Sequence, residues 1–318
     1  MDSNDGNHLI VTVTLNPTMD KTMIVPRLTV GATNRAEVER IDPGGKGVNV
    51  AKALKQLGCP VVATGFLAGS NGRLIAEGLA AREIPADFIQ VPGETRVNLK
   101  IKDPLSGTET EINEPGFPVD PKYLKQLEEK LENYAGRCAA VVLSGSLPPG
   151  VPTDIYAGLV RIAQRGGAKV ILDTQGEALR RGIAARPDLI KPNRLEVEGL
   201  LGTKIENETQ LVEAARQTLA LGISRVVISL GAEGALAASA VQVWRARGPS
   251  LQARSSVGAG DAMVAALVHA LLNNLPEDEA LRLAAAAGSA TASLSGSSVA
   301  DLKLIQEFLP RIEVERVG

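Results

Sequence analysis

The chain has 318 residues, enough to bury a large core as one sizeable α/β domain or two smaller ones. Apolar residues make up 44% and charged residues 22%, which excludes a disordered chain. A formal charge of −2 with 3% aromatic residues provides neither a basic stripe nor stacking platforms, which argues against a nucleic-acid partner.

The start, Met1-Asp2-Ser3-Asn4-Asp5-Gly6, is polar and acidic where a signal peptide would be basic and then apolar. No apolar run approaches the roughly 18 residues of a membrane span, so no membrane partner and a cytoplasmic location are expected. Residues 9–15 read as a first strand, ended by Pro17. No Gly-x-Gly-x-x-Gly follows it, which disfavours a dinucleotide-dependent oxidoreductase. Residues 21–42 are strand-like with interleaved charges, 61–67 a strand and 71–81 a helix. Residues 97–102 and 108–112 read as a hairpin, which together with 21–42 can form a small sheet standing off the main one.

After Gly116 strands and helices alternate. Helices are expected at 122–134, 153–165, 195–201 and 208–220, and strands at 139–143, 169–173, 188–191 and 225–230. Such alternation predicts a parallel sheet covered on both faces, with ligands at the carboxyl ends of the strands. Cys59 and Cys138, far apart beside apolar runs, are expected to be buried inert thiols. His8 lies in the tail, and His269, eight residues beyond Asp261 on one helix, lies about 12 Å from it along the axis, so histidine chemistry is not expected.

Two glycine loops open helices. In Ser255-Ser256-Val257-Gly258-Ala259-Gly260-Asp261 the last amides form a helix N-terminus suited to phosphate oxygens. A carboxylate at Asp261 repels phosphate as a ligand but makes sense as a base; the alternative is a helix cap on a glycine turn. In Pro43-Gly44-Gly45-Lys46-Gly47-Val48-Asn49 a second such start carries a lysine. It is no Walker A loop, since position 40 is arginine and no Ser or Thr follows Lys46. Asn49 gains little locally inside a helix, and a ligand hydroxyl would explain it. Arg96 and Lys100 point to one face of a strand. Asn193 and Glu196 have capping-box spacing.

These stretches, with Asn16-Pro17-Thr18-Met19-Asp20, Ser144-Gly145-Ser146-Leu147-Pro148-Pro149-Gly150 and Lys191-Pro192-Asn193-Arg194-Leu195-Glu196, resemble the ribokinase-like (PfkB) sugar kinases over nearly the whole chain. The likeness is strongest to the phosphosugar branch of 1-phosphofructokinases and tagatose-6-phosphate kinases. It implies one α/β domain over residues 1–318, with a doubly wound, mostly parallel sheet and a β-sheet lid from about 17–42 and 95–116. It also implies ATP, Mg2+ and commonly a homodimer formed through the lids.

The resemblance further implies Asp261 as base, with the amides of Gly258, Ala259 and Gly260 holding the developing charge. Asp20, Gly44, Gly45 and Asn49 would form the sugar site, and Lys46 and Arg96 would meet the substrate's phosphate, with Lys100 and Ser144 or Ser146 as further partners. Lys191, Ser229, Gly231 and Gly234 would lie along ATP, and Asn193 and Glu196 would position magnesium through water. Many relatives bind a monovalent cation near the anion hole. Gly-Gly-Lys-Gly at 44–47 departs from the all-glycine form of the 6-phosphofructokinase branch, and the 95–100 segment resembles 1-phosphofructokinases, so D-fructose 1-phosphate is the expected acceptor. A non-catalytic sugar-phosphate sensor on the same scaffold is the alternative from another class.

Overall fold

The computed structural model describes residues 9–249, 257–296 and 298–318; the N-terminal tail with His8, and Ser255 and Ser256 of the glycine loop, lie outside them. The first half comprises β1 (Ile10–Thr14), β2 (Thr18–Ile24), β3 (Glu37–Gly44), α1 (Lys46–Gln56), β4 (Val61–Ala68), α2 (Gly69–Ala80), β5 (Ala86–Val91), β6 (Arg96–Asp103), β7 (Thr108–Asn113), α3 (Pro121–Ala135), β8 (Ala140–Ser144) and α4 (Ile155–Arg165). There follow β9 (Lys169–Asp173), α5 (Gly176–Ile183), β10 (Leu189–Ile190), α6 (Arg194–Leu201), α7 (Glu208–Ala220), β11 (Arg225–Ser229), β12 (Ala235–Ser239), β13 (Val243–Arg247), α8 (Ala259–Leu272), α9 (Glu277–Ala292), α10 (Leu302–Phe308) and β14 (Glu313–Arg316).

The large sheet has the order β14-β13-β12-β11-β10-β9-β8-β1-β4-β5, and a separate sheet has the order β3-β2-β6-β7. From β5 to β11 every pairing of the large sheet is parallel. Alternate residues of the strands feed two cores. Val11, Val13 and Leu143 pack with α3 and α4 on one face, and Ile10, Ala140 and Val142 with α1, α8 and α9 on the other.

Local chemistry accounts for the helices. α3 starts on Asp120, whose side chain accepts from the Lys122 amide, has a proline in its first turn, and buries Leu124, Leu127, Leu131 and Ala135 at helical spacing. α8 buries almost its whole circumference and is apolar all round, as a helix between a sheet and another helix must be.

The expected parallel alternation fails at one end. β11–β12, β12–β13 and β13–β14 are antiparallel. The links from β11 to β13 are tight turns, one a 3-10 turn at Gly231–Glu233, too short for the crossover a parallel pair needs. The edge strand β5 and the helix α5 were not expected, although α5 buries Ala178, Leu179, Gly182 and Ile183 at helical spacing. Cys138 is buried as expected, but Cys59 is only half-buried, its Sγ 3.3 Å from His269 Nδ1. Burial pushes both thiols up to about 11, so both are inert.

Candidate active site

Parallel pairing brings the carboxyl ends of the central strands into one row. Thr14 is in register with Ser144, and Ser144 with Asp173, while Ile190, just before Lys191, pairs with Leu172 and Val226. Above this row the N-termini of α1 and α8 converge. The small sheet faces them, and between lies a cavity of ≈ 230 Å³. Its lining includes Asp20, Gly45, Lys46, Asn49, Arg96, Lys100, Val257 and Asp261, and also Thr18, Asn98 and Asn113, which the sequence did not single out.

Gly258 precedes α8 at φ 80°, a left-handed conformation suited to glycine, and among the described residues no side chain caps the helix start. The capping alternative for Asp261 therefore gives way to another partner. Its Oδ2 accepts a hydrogen bond of 2.9 Å from Asn49 Nδ2 on α1. Asp261 is 6% exposed, and burial raises its pKa to about 6. Lys46, Asn49 and Lys191 pull against that rise, and Asp173 adds to it. The result is a carboxylate of raised basicity at a helix N-terminus, opening on a cavity.

Asn49 is accounted for without a ligand, although it lines the cavity. Its Oδ1 accepts from Lys52 Nζ at 2.9 Å. Lys46 pairs with Asp173 at 3.2 Å. Burial opposes its charge, but Asp173, Asp261 and Glu196 outweigh that and hold the ammonium well above the ordinary lysine range. Asp173, 1% exposed, also stands 3.6 Å from Lys191 Nζ. That ammonium lies 3.3 Å from where a side chain on Gly260 would begin, so Lys191 sits under the first turn of α8. Asp173 was not expected in the site; an acid ending an apolar strand at the carboxyl edge is the signal that could have found it.

Gly44 lies against the Asp20 carboxylate, where a Cβ would come 2.2 Å from Oδ2 and displace it, and Gly44 itself does not line the cavity. Arg96 is held by backbone carbonyls, Nη1 on Glu114 at 3.0 Å and Nη2 on Asn16 at 3.3 Å, while its buried Nε has no partner among the described residues. Lys100 Nζ stands 3.1 Å from Glu109 and 3.2 Å from Glu111, so its charge is already matched. Neither Ser144 nor Ser146 lines the cavity. Ser144 is fully buried at the end of β8, and Ser146 Oγ accepts from Asn16 Nδ2 at 3.2 Å.

Asn193 and Glu196 do form a capping box, with bonds of 2.8 and 2.9 Å, at the start of α6. Glu196 nevertheless contributes to the field that favours the Lys46 charge. Ser229 ends the neighbouring β11, and Gly231 and Gly234 lie in the turn after it. The two loops are joined by the Ser229 amide donating to the Pro192 carbonyl at 2.9 Å and by Arg194 pairing with Glu233 at 2.9 Å. Among the described residues no cluster of three or more His, Cys, Asp or Glu could hold a metal directly, and no helix is long and apolar enough to cross a membrane.

A mostly parallel sheet flanked by helices, a separate small sheet over its carboxyl edge, and a buried aspartate at a helix N-terminus define a ribokinase-like sugar kinase. The chain belongs to the pfkB family of carbohydrate kinases, whose family model matches residues 13–303. It is an ATP-dependent sugar kinase. A 1-phosphofructokinase of Rhodobacter capsulatus is 43% identical over 87% of this chain and 88% of its own length. One of Bacillus subtilis is 35% identical over 97% and 100%. Phosphofructokinase-2 from Escherichia coli, solved in complex with substrates and products, superposes with a TM-score of 0.89 at 32% identity over 95% of this chain and 98% of that one. The same enzyme has also been solved with potassium.

Proposed function

We propose that the chain transfers the γ-phosphoryl group of ATP to the 6-hydroxyl of D-fructose 1-phosphate, giving D-fructose 1,6-bisphosphate and ADP. The observation that carries this is a single cavity with Asp261 on one wall and the partly unsatisfied guanidinium of Arg96 on another. The base and an anion site thus face one sugar-sized space. The 1-phosphofructokinases similar to this chain over most of its length support the choice of acceptor.

Asp20, Gly44, Gly45 and Asn49 hold the sugar hydroxyls, and Arg96 with Lys46 meets the 1-phosphate. Asp261 orients the attacking hydroxyl and takes its proton as the oxygen–phosphorus bond forms and the bond to the β,γ-bridging oxygen breaks. The amides of Gly258, Ala259 and Gly260, with the buried Lys191 beneath them, stabilise charge on the moving phosphoryl group. Such a transfer depends more on alignment and charge neutralisation than on a strong base.

Asp173 Oδ2, buried and without a hydrogen-bond partner among the described residues, is an oxygen donor of the kind a hard cation takes, and Glu196 acts on the same Lys46 ammonium. Asp173, Glu196 and Asn193 would hold magnesium through water, and that ion supplies neutralisation of nucleotide charge. Lys191, Ser229, Gly231 and Gly234 line the nucleotide's side. A monovalent cation beside the anion loop belongs to the same proposal, as does a cytoplasmic location. The small sheet, with residues 1–318 as one domain, is a lid that excludes water. Ile41 and Ile112, more than half exposed on it, support a homodimer paired through the lids.

Initial ADP release with MgATP and, separately, fructose 1-phosphate, fructose 6-phosphate and tagatose 6-phosphate tests the assignment. The highest kcat/KM is expected with fructose 1-phosphate. The close superposition on phosphofructokinase-2 favours fructose 6-phosphate as the second reading. A win for either other sugar overturns the substrate but keeps the mechanism, and no turnover with any of them overturns both.

A further inference from the structure

Lys52 has no part in the chemistry above, yet it is a buried ammonium inside the core side of α1, 4% exposed. An apolar side chain would fill this space without desolvating a charge, so packing alone gives no reason for a lysine. Burial, and next Arg82 in the turn after α2, lower its pKa to about 8, against Asp20 on β2, Asp42 on β3 and Asp261 on α8, which favour the charge.

Its hydrogen bonds are specific. Nζ donates to Asn49 Oδ1 at 2.9 Å and to the Pro43 carbonyl at 2.5 Å. A carboxamide has a donor end and an acceptor end, and committing Oδ1 to an ammonium leaves Nδ2 as the end that faces Asp261, at 2.9 Å. Turned the other way, the amide would set an oxygen against the carboxylate. Pro43 belongs to β3, so one ammonium ties a lid strand to the residue that holds the base.

We propose that Lys52 is a positioning residue that acts on Asp261 through Asn49, and that its bond to Pro43 makes the geometry of the base depend on the seating of strand β3. The proposal rests on Asp261 being the base.

Steady-state kinetics and thermal unfolding of full-length Lys52→Met, Lys52→Gln, Asn49→Ala and Lys52→Met/Asn49→Ala test it. Lys52→Met is expected to lower kcat roughly tenfold or more, as loss of a charge-assisted hydrogen bond would. KM for ATP and for the sugar phosphate should stay within about threefold, the signature of an interaction that matters in the transition state. In the Asn49→Ala background the same substitution should cost less than about threefold, because the path is already cut. Lys52→Gln, which keeps an N–H donor for Asn49, should retain more kcat than Lys52→Met, and it carries the test if Lys52→Met fails to fold.

Unchanged kcat, an effect on KM alone, or losses that multiply in the double variant would overturn the proposal. Asp261→Asn measured alongside separates the two readings. Retained activity there removes the base, whereas an inactive Asp261→Asn beside an unaffected Lys52→Met removes only the positioning role.

Discussion

Lys46 and Asp173, 127 residues apart in the chain, form an ion pair of 3.2 Å at the carboxyl edge of the large sheet. Lys191 approaches the same carboxylate oxygen at 3.6 Å. Asp173, itself buried, thus compensates a buried ammonium on Lys191 and a half-buried one on Lys46. Removing its charge takes the nearest counter-charge from both, which for fully buried pairs costs about 3 kcal/mol and less here, because the Lys46 side chain is 35% exposed and Asp261 remains close. Asp173→Asn is therefore expected to lower unfolding stability by about 1 to 3 kcal/mol and to depress kcat. Denaturant unfolding at pH 7 checks it, and a change below about 1 kcal/mol would show that solvent screens the cluster.

The rate should follow the ionisation of Asp261. A base with a pKa near 6 is mostly protonated at pH 5 and ionised at pH 8, so kcat/KM is expected to rise with an acid limb near 6. A substrate phosphate also ionises near pH 6, at about its second pKa. Asn49→Ala separates the two. Its bond to Asp261 favours the charged carboxylate, so losing it should move the enzyme's limb upward in pH, whereas a limb set by the phosphate would stay in place.

Stability should respond with the opposite sign. The folded-state pKa of Asp261 is raised from an ordinary 3.8 to about 6, so the fold prefers the protonated acid. Below about 4 the acid is neutral in both states and costs nothing. Above about 6 the fold carries the penalty in full, on the order of 3 kcal/mol at 1.36 kcal/mol per pH unit. Asp261→Asn is expected to abolish turnover yet to melt higher than the parent at pH 8, with the gain shrinking as the pH falls toward 4. Equal melting temperatures at pH 8 would mean that the field of Lys46 and Lys191 already offsets the burial.

Arg96 offers a donor to an anion from a guanidinium braced by the Glu114 and Asn16 carbonyls. Arg96→Ala should raise KM for the sugar phosphate by about 10- to 100-fold, the equivalent of a charge-assisted hydrogen bond, and leave KM for ATP within about twofold. Arg96→Lys should restore little, because an ammonium cannot keep both carbonyls and a phosphate in one plane. If KM for ATP moved instead, Arg96 would serve the nucleotide side.

Much of the site was legible because helix starts write themselves into local sequence. Glycines before an apolar run marked both α1 and α8, and Asp261 stood out as an acid where an anion should bind. Asn193 and Glu196 were legible as a capping box, and that box is present. Asp173 and Lys52 were not legible. Each looks ordinary in its own segment, an acid ending a strand and a lysine on a helix, and gains meaning only from partners brought near by folding. Lys100 lines the cavity, but its pairing with Glu109 and Glu111 was not legible, since it depends on the register of β6 against β7.

The sequence by itself determined the alternation of strands and helices, the two amide-lined helix starts and the family resemblance, because periodicity, turn chemistry and motif spacing act over a few residues. Only the tertiary structure decided that Asn49 would hold Asp261, that Asp173 would stand between Lys46 and Lys191, and that the sheet would turn antiparallel beyond β11. The first two outcomes depend on the order and register of elements far apart in the chain, and the last on how the short links after β11 fold back the strands that follow. Burial then raises the basicity of one carboxylate at the point where two helix starts and a small sheet meet.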